Sequence, residues 1–83
     1  MNTRTKKYRM QQHAEIQKRV DYRLRDSKWF EFRLRCDENF HMEGYYRETE
    51  SENISEAYRD GWRVIDGRLL CLASRRKLKR INH

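Results

Sequence analysis

Proline is absent from this 83-residue chain, glycine occurs only three times and cysteine twice. With no Pro-rich stretch, no Gly/Ser linker and no repeat, nothing marks an internal domain boundary. The glycines, at positions 44, 61 and 67, stand too far apart to build a phosphate-cradling loop. Two cysteines do not make a disulfide framework, and the expected setting is a cytoplasm that keeps thiols reduced. No run approaches the ~18 consecutive apolar residues of a membrane span, so a membrane partner is not expected. The charged stretch from Arg4 to Arg9, with no apolar segment after it, does not read as a secretory signal. Hydrophobic residues make up 36% against 40% charged, so the core must be thin. Two Trp, five Tyr and three Phe nevertheless argue against a disordered chain. Residues 1–83 are read as one domain, with 1–5 and 75–83 as flexible basic ends. No room is left for an enzyme with its own cofactor domain.

Charge is abundant and segregated. Residues 1–35 carry eleven Lys/Arg against four Asp/Glu, residues 36–66 three against nine, and residues 67–83 six against none. Basic ends of +7 and +6 therefore flank an acidic middle of −6. Such segregation makes local potentials stronger than the net +7 conveys, and a polyanion would meet the ends. Arginine outnumbers lysine fourteen to six, which favours bidentate phosphate contacts and stacking on bases.

Periodicity gives an α+β reading with an antiparallel sheet. Thr3 or Thr5 can cap a helix from about Lys6 to Arg25, with Met10, His13, Ile16, Val20 and Leu24 on one stripe, ended by Asp26-Ser27-Lys28. Trp29 to Cys36 alternates cleanly: Phe30, Phe32, Leu34 and Cys36 on one face, Trp29, Glu31, Arg33 and Arg35 on the other. After an Asp37-Glu38-Asn39 turn, a returning strand is expected to bury Phe40 and Met42, with Tyr46 on the same face and Gly44 marking a bulge or close approach. Thr49 to Glu52 reads as a capping box opening a helix to about Asp60, with Gly61 as its left-handed end. Asp66-Gly67 between apolar flanks signals a type I′ hairpin over Trp62–Cys71. Ser74 is expected to cap a last basic segment. The expected core is Phe30, Phe32, Leu34, Phe40, Met42, Ile54, Tyr58, Val64 and Leu69.

The candidate binding residues are cationic, with one aromatic among them. Lys6, Lys7, Arg9, Lys18, Arg19 and Arg25 form a helical stripe, and Arg33 and Arg35 flank Trp29, a candidate stacking platform. Arg75, Arg76, Lys77, Lys79 and Arg80 cluster with no acid nearby in sequence. The competing explanation is a solvated surface that keeps a small domain soluble.

Metal binding is not expected. Cys36, His41, Cys71 and His83 are the available soft or borderline ligands. Cys36-x4-His41 is an acceptable pair, but Cys71 is followed three residues later only by Ser74. No triad or paired-carboxylate arrangement marks a catalytic centre, so an enzyme is not expected either.

The stretch Ala57-Tyr58-Arg59-Asp60-Gly61-Trp62, with Gly67 and Cys71 after it, resembles small phage and prophage-type accessory proteins. In those, a helix ending in Gly-Trp precedes a hairpin closed by a Cys-Pro-x-Cys knuckle, with an earlier Cys-x-x-Cys. The resemblance spans about residues 36–74 and implies a strand–helix–hairpin order in a compact accessory protein. Here Cys36 has no cysteine partner, Leu72 replaces the proline and Ser74 stands at the second knuckle position, which argues against zinc.

The leading expectation is a small non-catalytic nucleic-acid-binding accessory or regulatory protein, with DNA or RNA as partner and the host cytoplasm as its place if phage-encoded. The alternative is a protein-binding modulator or inhibitor of a host nucleic-acid enzyme or defence complex.

Overall fold

A computed structural model describes the backbone of residues 3–25 and 30–81 and the side chains of 5–21 and 31–78. The element order is α1 (Thr3–Gln17), β1 (Asp21–Arg25), β2 (Phe30–Arg35), β3 (Met42–Arg47), α2 (Glu50–Arg59), β4 (Arg63–Ile65), β5 (Arg68–Leu70) and α3 (Leu72–Ile81). An antiparallel sheet in the order β1-β2-β3 accompanies a separate β4-β5 hairpin, so the α+β class holds. No helix among the described residues is long and apolar enough to cross a membrane.

The helix expected to reach Arg25 stops at Gln17. The amide of Arg19 donates to Ile16 O at 2.9 Å and that of Val20 to Gln17 O at 3.5 Å, a tightened helix end. Asp21–Arg25 then pairs with β2. Val20, Tyr22 and Leu24 repeat every two residues, a strand period, while Ile16, Val20 and Leu24 repeat every four. Pairing with β2 decides for the strand. The expected helix stop at Asp26-Ser27-Lys28 lies outside the described residues.

On β2 the alternation holds: Phe32, Leu34 and Cys36 are buried, Arg33 and Arg35 exposed. On β3 the expected face is reversed. Phe32 stands opposite Tyr45 and Arg35 opposite Met42, and directly opposed residues share a face. Tyr45 is therefore buried with Phe32, their ring centroids 5.8 Å apart, while Met42 and Tyr46 face out. Phe40 lies before the strand at φ 62°, exposed. Gly44 makes no bulge: it pairs with Arg33 in unbroken register, and the irregularity of this sheet falls in β1 between Tyr22 and Leu24.

Local capping chemistry places α2. The Thr49 hydroxyl accepts from the Glu52 amide at 3.1 Å. At the other end, Gly61 N–H donates to Tyr58 O and Trp62 N–H to Ala57 O, the paired bonds of a Schellman end, with Gly61 at φ 103°. Asp66 and Gly67, at φ 52° and 77°, form the expected I′ turn. Ser74 is not a cap. Arg75 N–H donates to Cys71 O, so Cys71 opens α3 and Ser74 lies buried in its first turn. The basic segment from Arg75 onward runs within this helix.

The core gathers Ile16 from α1, Phe32 and Leu34 from β2, Tyr45, Ile54 and Ala57 from β3 and α2, and Trp62, Leu69, Leu70 and Cys71 from the hairpin region. Of the expected core, Phe32, Leu34, Ile54 and Leu69 are buried and Tyr58 and Val64 pack against it. Phe40 and Met42 are outside it, and the Phe30 side chain is not among those described. Asp37 ties the hairpin to the sheet. Its amide donates to Leu69 O at 2.8 Å, and its carboxylate accepts from Leu69 N–H at 2.9 Å.

Candidate nucleic-acid interface

The N-terminal half of α1 projects from this body. Residues 5–11 are all exposed, and α1 meets the core only from Gln12, His13 and Ile16 onward. Lys6, Lys7 and Arg9 lie on that free half, and no acid stands in its first turn. Cations at a helix N-terminus have the wrong sign for the dipole, a cost that a bound anion offsets. Lys18, beyond the helix end, pairs with Glu15 at 3.3 Å.

Between α1 and α3 the cations converge. Burial, then the charges of Arg9 and Arg63, hold the pKa of His13 below its ordinary value. Burial, then the charge of Arg63, also lower that of Arg75, with Tyr8 and Tyr58 acting the other way. Arg63 thus reaches both helices electrostatically. Its guanidinium lies 3.4 Å from the Tyr58 ring centroid and donates to Tyr58 O and Trp62 O, each at 2.7 Å. The Tyr58 carbonyl belongs to the negative end of α2, so part of the charge is used to hold the fold.

Two of the expected binding residues are structural. Arg19 donates to both carboxylate oxygens of Asp37 at 2.7 and 2.8 Å and to Gly67 O at 3.3 Å. Burial raises the Asp37 carboxyl, but the Leu69 amide, the Arg19 hydrogen bond and the charges of Arg19 and Arg35 outweigh it, leaving its pKa below the usual range. Arg75 is half-buried and donates to Gly61 O at 2.7 Å. Arg76 and Lys77 are exposed on the same helix, Lys77 standing 3.9 Å from Glu38. The side chains of Arg25, Trp29, Lys79 and Arg80 lie outside the described residues.

The outer sheet face carries Arg33 and Arg35 as expected, together with Met42, which sequence reasoning assigned to the core, and Tyr46, which it placed on the same face as Met42. Arg35 also lies 5.8 Å from the Phe40 ring centroid. Opposite Arg33, Gly44 leaves open space above the sheet, and a depression of about 360 Å³ forms there, lined by Glu31, Arg33, Met42, Glu43 and Gly44. The register of β3 against β2 would have exposed this face, had the Phe32–Tyr45 pairing been legible.

The two cysteines meet, although 35 residues separate them. Cys36 Sγ lies 3.2 Å from Ser74 Oγ, Cys71 donates to the same hydroxyl at 3.7 Å, and Asn39 Nδ2 donates to Cys71 Sγ at 3.4 Å. Burial pushes the Cys36 thiol up, but hydrogen bonds from the Asn39 amide, the Ser74 hydroxyl and the Cys71 and Glu38 amides bring it down to about 7. His41 does not join them: its ring stacks on Trp62 at 6.3 Å and its Nε2 bonds Glu43 at 3.3 Å. Among the described residues, no group of three or more His, Cys, Asp or Glu is placed to hold a metal ion. A four-cysteine zinc knuckle does not fit this donor set, in which an amide NH2 group points at a sulfur.

Comparison with known proteins finds no matching family model, no matching curated protein and no matching solved structure.

Proposed function

We propose that the protein is a non-catalytic nucleic-acid-binding accessory or regulatory protein that lays α1 against the phosphate backbone. The carrying observation is the exposed stretch of residues 5–11, with Lys6, Lys7 and Arg9 at the positive end of the helix dipole. A helix has the width that a duplex major groove admits, and the cations on this exposed half neutralise phosphates. Arg33, Arg35, Arg76 and Lys77 are further exposed cations for the same polyanion. The reading includes a reducing, cytoplasmic setting, which suits two buried free thiols, and the host cytoplasm for a phage-encoded chain.

Titrating labelled duplex and single-stranded oligonucleotides at several salt concentrations tests the proposal. Each neutralised phosphate contributes about −0.9 to the log–log slope on duplex DNA. Replacing Lys6, Lys7 and Arg9 together by Ala should therefore flatten the slope by about two to three units. Affinity no tighter than about 10⁻⁴ M, the weak end of non-specific binding, would sink the proposal. It would favour a protein-directed modulator, for which the exposed Phe40 and Met42 offer a contact surface.

A further inference from the structure

We infer that the outer face of β2 and β3 is a binding site for one guanine nucleotide of a single strand, its base over Gly44 and its phosphate beside Arg35. The site rests on the reading of nucleic acid as the partner and lies apart from α1. Gly44 is a glycine that the fold does not need. It has no positive φ, and a Cβ added to it would meet nothing within 4 Å. Glycine weakens a strand interior, and where neither backbone nor packing asks for it, it marks a place that something else approaches closely. Met42 and Tyr46, two residues to either side and on the same face, are 45% and 48% exposed. They flank the gap at Gly44 with apolar surface for the two sides of a base.

Charge gives the site a direction. Two depressions adjoin on this face and share Arg33 and Met42. The one over Gly44, about 360 Å³, is lined also by Glu31 and Glu43. Carboxylates repel a phosphate but accept hydrogen bonds from a base. Glu43 already bonds His41 Nε2, so recognition falls to Glu31. Guanine presents N1–H and an N2 amino hydrogen side by side, two donors matched to the two oxygens of one carboxylate. The neighbouring depression, about 390 Å³, sets Arg19, Arg33 and Arg35 against Asp21 and Asp37. Arg19 and Asp37 pair with each other, so Arg33 and Arg35 outweigh Asp21 and this end takes the phosphate. Beyond Arg35, the Phe40 ring is 67% exposed and 5.8 Å from the guanidinium, a stacking surface for the adjacent base. Phe40 N–H donates to Cys36 O at 2.9 Å and Cys36 N–H to His41 O at 2.8 Å, so a closed turn presents that ring.

Fluorescence anisotropy with labelled single-stranded DNA pentamers tests the site. A pentamer with one central guanine should bind about tenfold tighter than an all-thymine pentamer. Gly44→Val should remove that preference and weaken the guanine strand about tenfold. Its melting temperature should stay level or rise, since valine suits a strand. Duplex affinity and its salt slope, which report on α1, should be unchanged in that variant. If Gly44→Val does not fold, two other variants carry the test. Glu31→Gln should cut the guanine preference without weakening the all-thymine strand, and Phe40→Ala should weaken both strands about tenfold. Equal binding of the two pentamers by the unaltered protein overturns the inference, as does a folded Gly44→Val variant that keeps the preference. A guanine preference without duplex binding supports this site and sinks the α1 reading. Self-association of the unaltered protein that Gly44→Val abolishes overturns the inference, because the face then belongs to a second copy.

Discussion

Gln12 pairs with the backbone of Val64 as a neighbouring strand would. Its side-chain amide donates to Val64 O at 2.9 Å and accepts from Val64 N–H at 2.8 Å. Gln12 is buried on α1, and this one residue closes both backbone groups of Val64 on β4. The contact joins segments 52 residues apart.

Gln12→Ala should therefore cost about 1–3 kcal/mol, because it leaves a part-buried donor and acceptor without partners. Urea unfolding followed by Trp fluorescence measures it. Leucine at the same position keeps the volume and should cost about as much, since the loss lies in the hydrogen bonds. A loss within about half a kcal/mol would mean that water replaces the amide there.

Gly61 should tolerate no side chain. It ends α2 at φ 103°, and a Cβ there would stand 2.7 Å from Leu72 Cβ, the first residue of α3. Backbone strain alone is worth about 1–3 kcal/mol, and the contact with Leu72 adds to it. Gly61→Ala should lower the denaturation midpoint strongly, and adding Leu72→Ala should recover little of the loss, because alanine keeps the Cβ that stands closest. Gly67→Ala, with open space around it, should show the backbone strain alone and cost less.

What was legible in the sequence was local. The β2 alternation, the Thr49 cap, the Gly61 helix end and the Asp66-Gly67 turn each need only a few adjacent residues, and each is present. β1 was not legible, because residues 16–24 satisfy a four-residue and a two-residue repeat at once and no proline or glycine interrupts them. The inward face of β3 depends on pairing Phe32 with Tyr45, a choice between registers that alternation alone does not make. The same limit applies to the candidate interface. Lys6 and Arg19 look alike as charges in sequence, yet one is exposed on a projecting helix and the other clamps Asp37.

Two groups should give the stability two separate pH windows. His13 lies edge-on to Tyr58 at 5.1 Å, and burial and the charges of Arg9 and Arg63 lower its pKa from 6.5. The unfolded chain therefore takes up this proton first. The stability tied to neutral His13 is fully present above about pH 6.5 and is lost as pH falls through the folded pKa. Asp37, whose pKa is also lowered, follows further down, below about 3.8. His13→Gln should flatten the upper window and leave the lower one, read from urea midpoints across pH. An unchanged upper window in that variant would assign the loss to another group.

The cations should divide into those that bind and those that build. Arg19 joins the Asp37 carboxylate and Gly67 O, and Arg75 holds Gly61 O at the end of α2, so each is committed to the fold. Removing Arg75 should cost about 1–3 kcal/mol, because a part-buried carbonyl is left without its partner, and removing Arg19, whose bonds are exposed, up to about 1 kcal/mol. Neither should change the salt slope of nucleic-acid binding by more than a fraction of a unit, measured where the variant is still folded. Lys6, Lys7 and Arg9 should behave in the opposite way. They stand on an exposed helix half whose dipole they oppose, so replacing them by Ala should leave the urea midpoint unchanged or slightly higher while flattening the slope. Measuring both quantities on the same variants separates the two roles. A loss of salt slope from Arg19→Ala with stability intact would place the anion at the hairpin and not along α1.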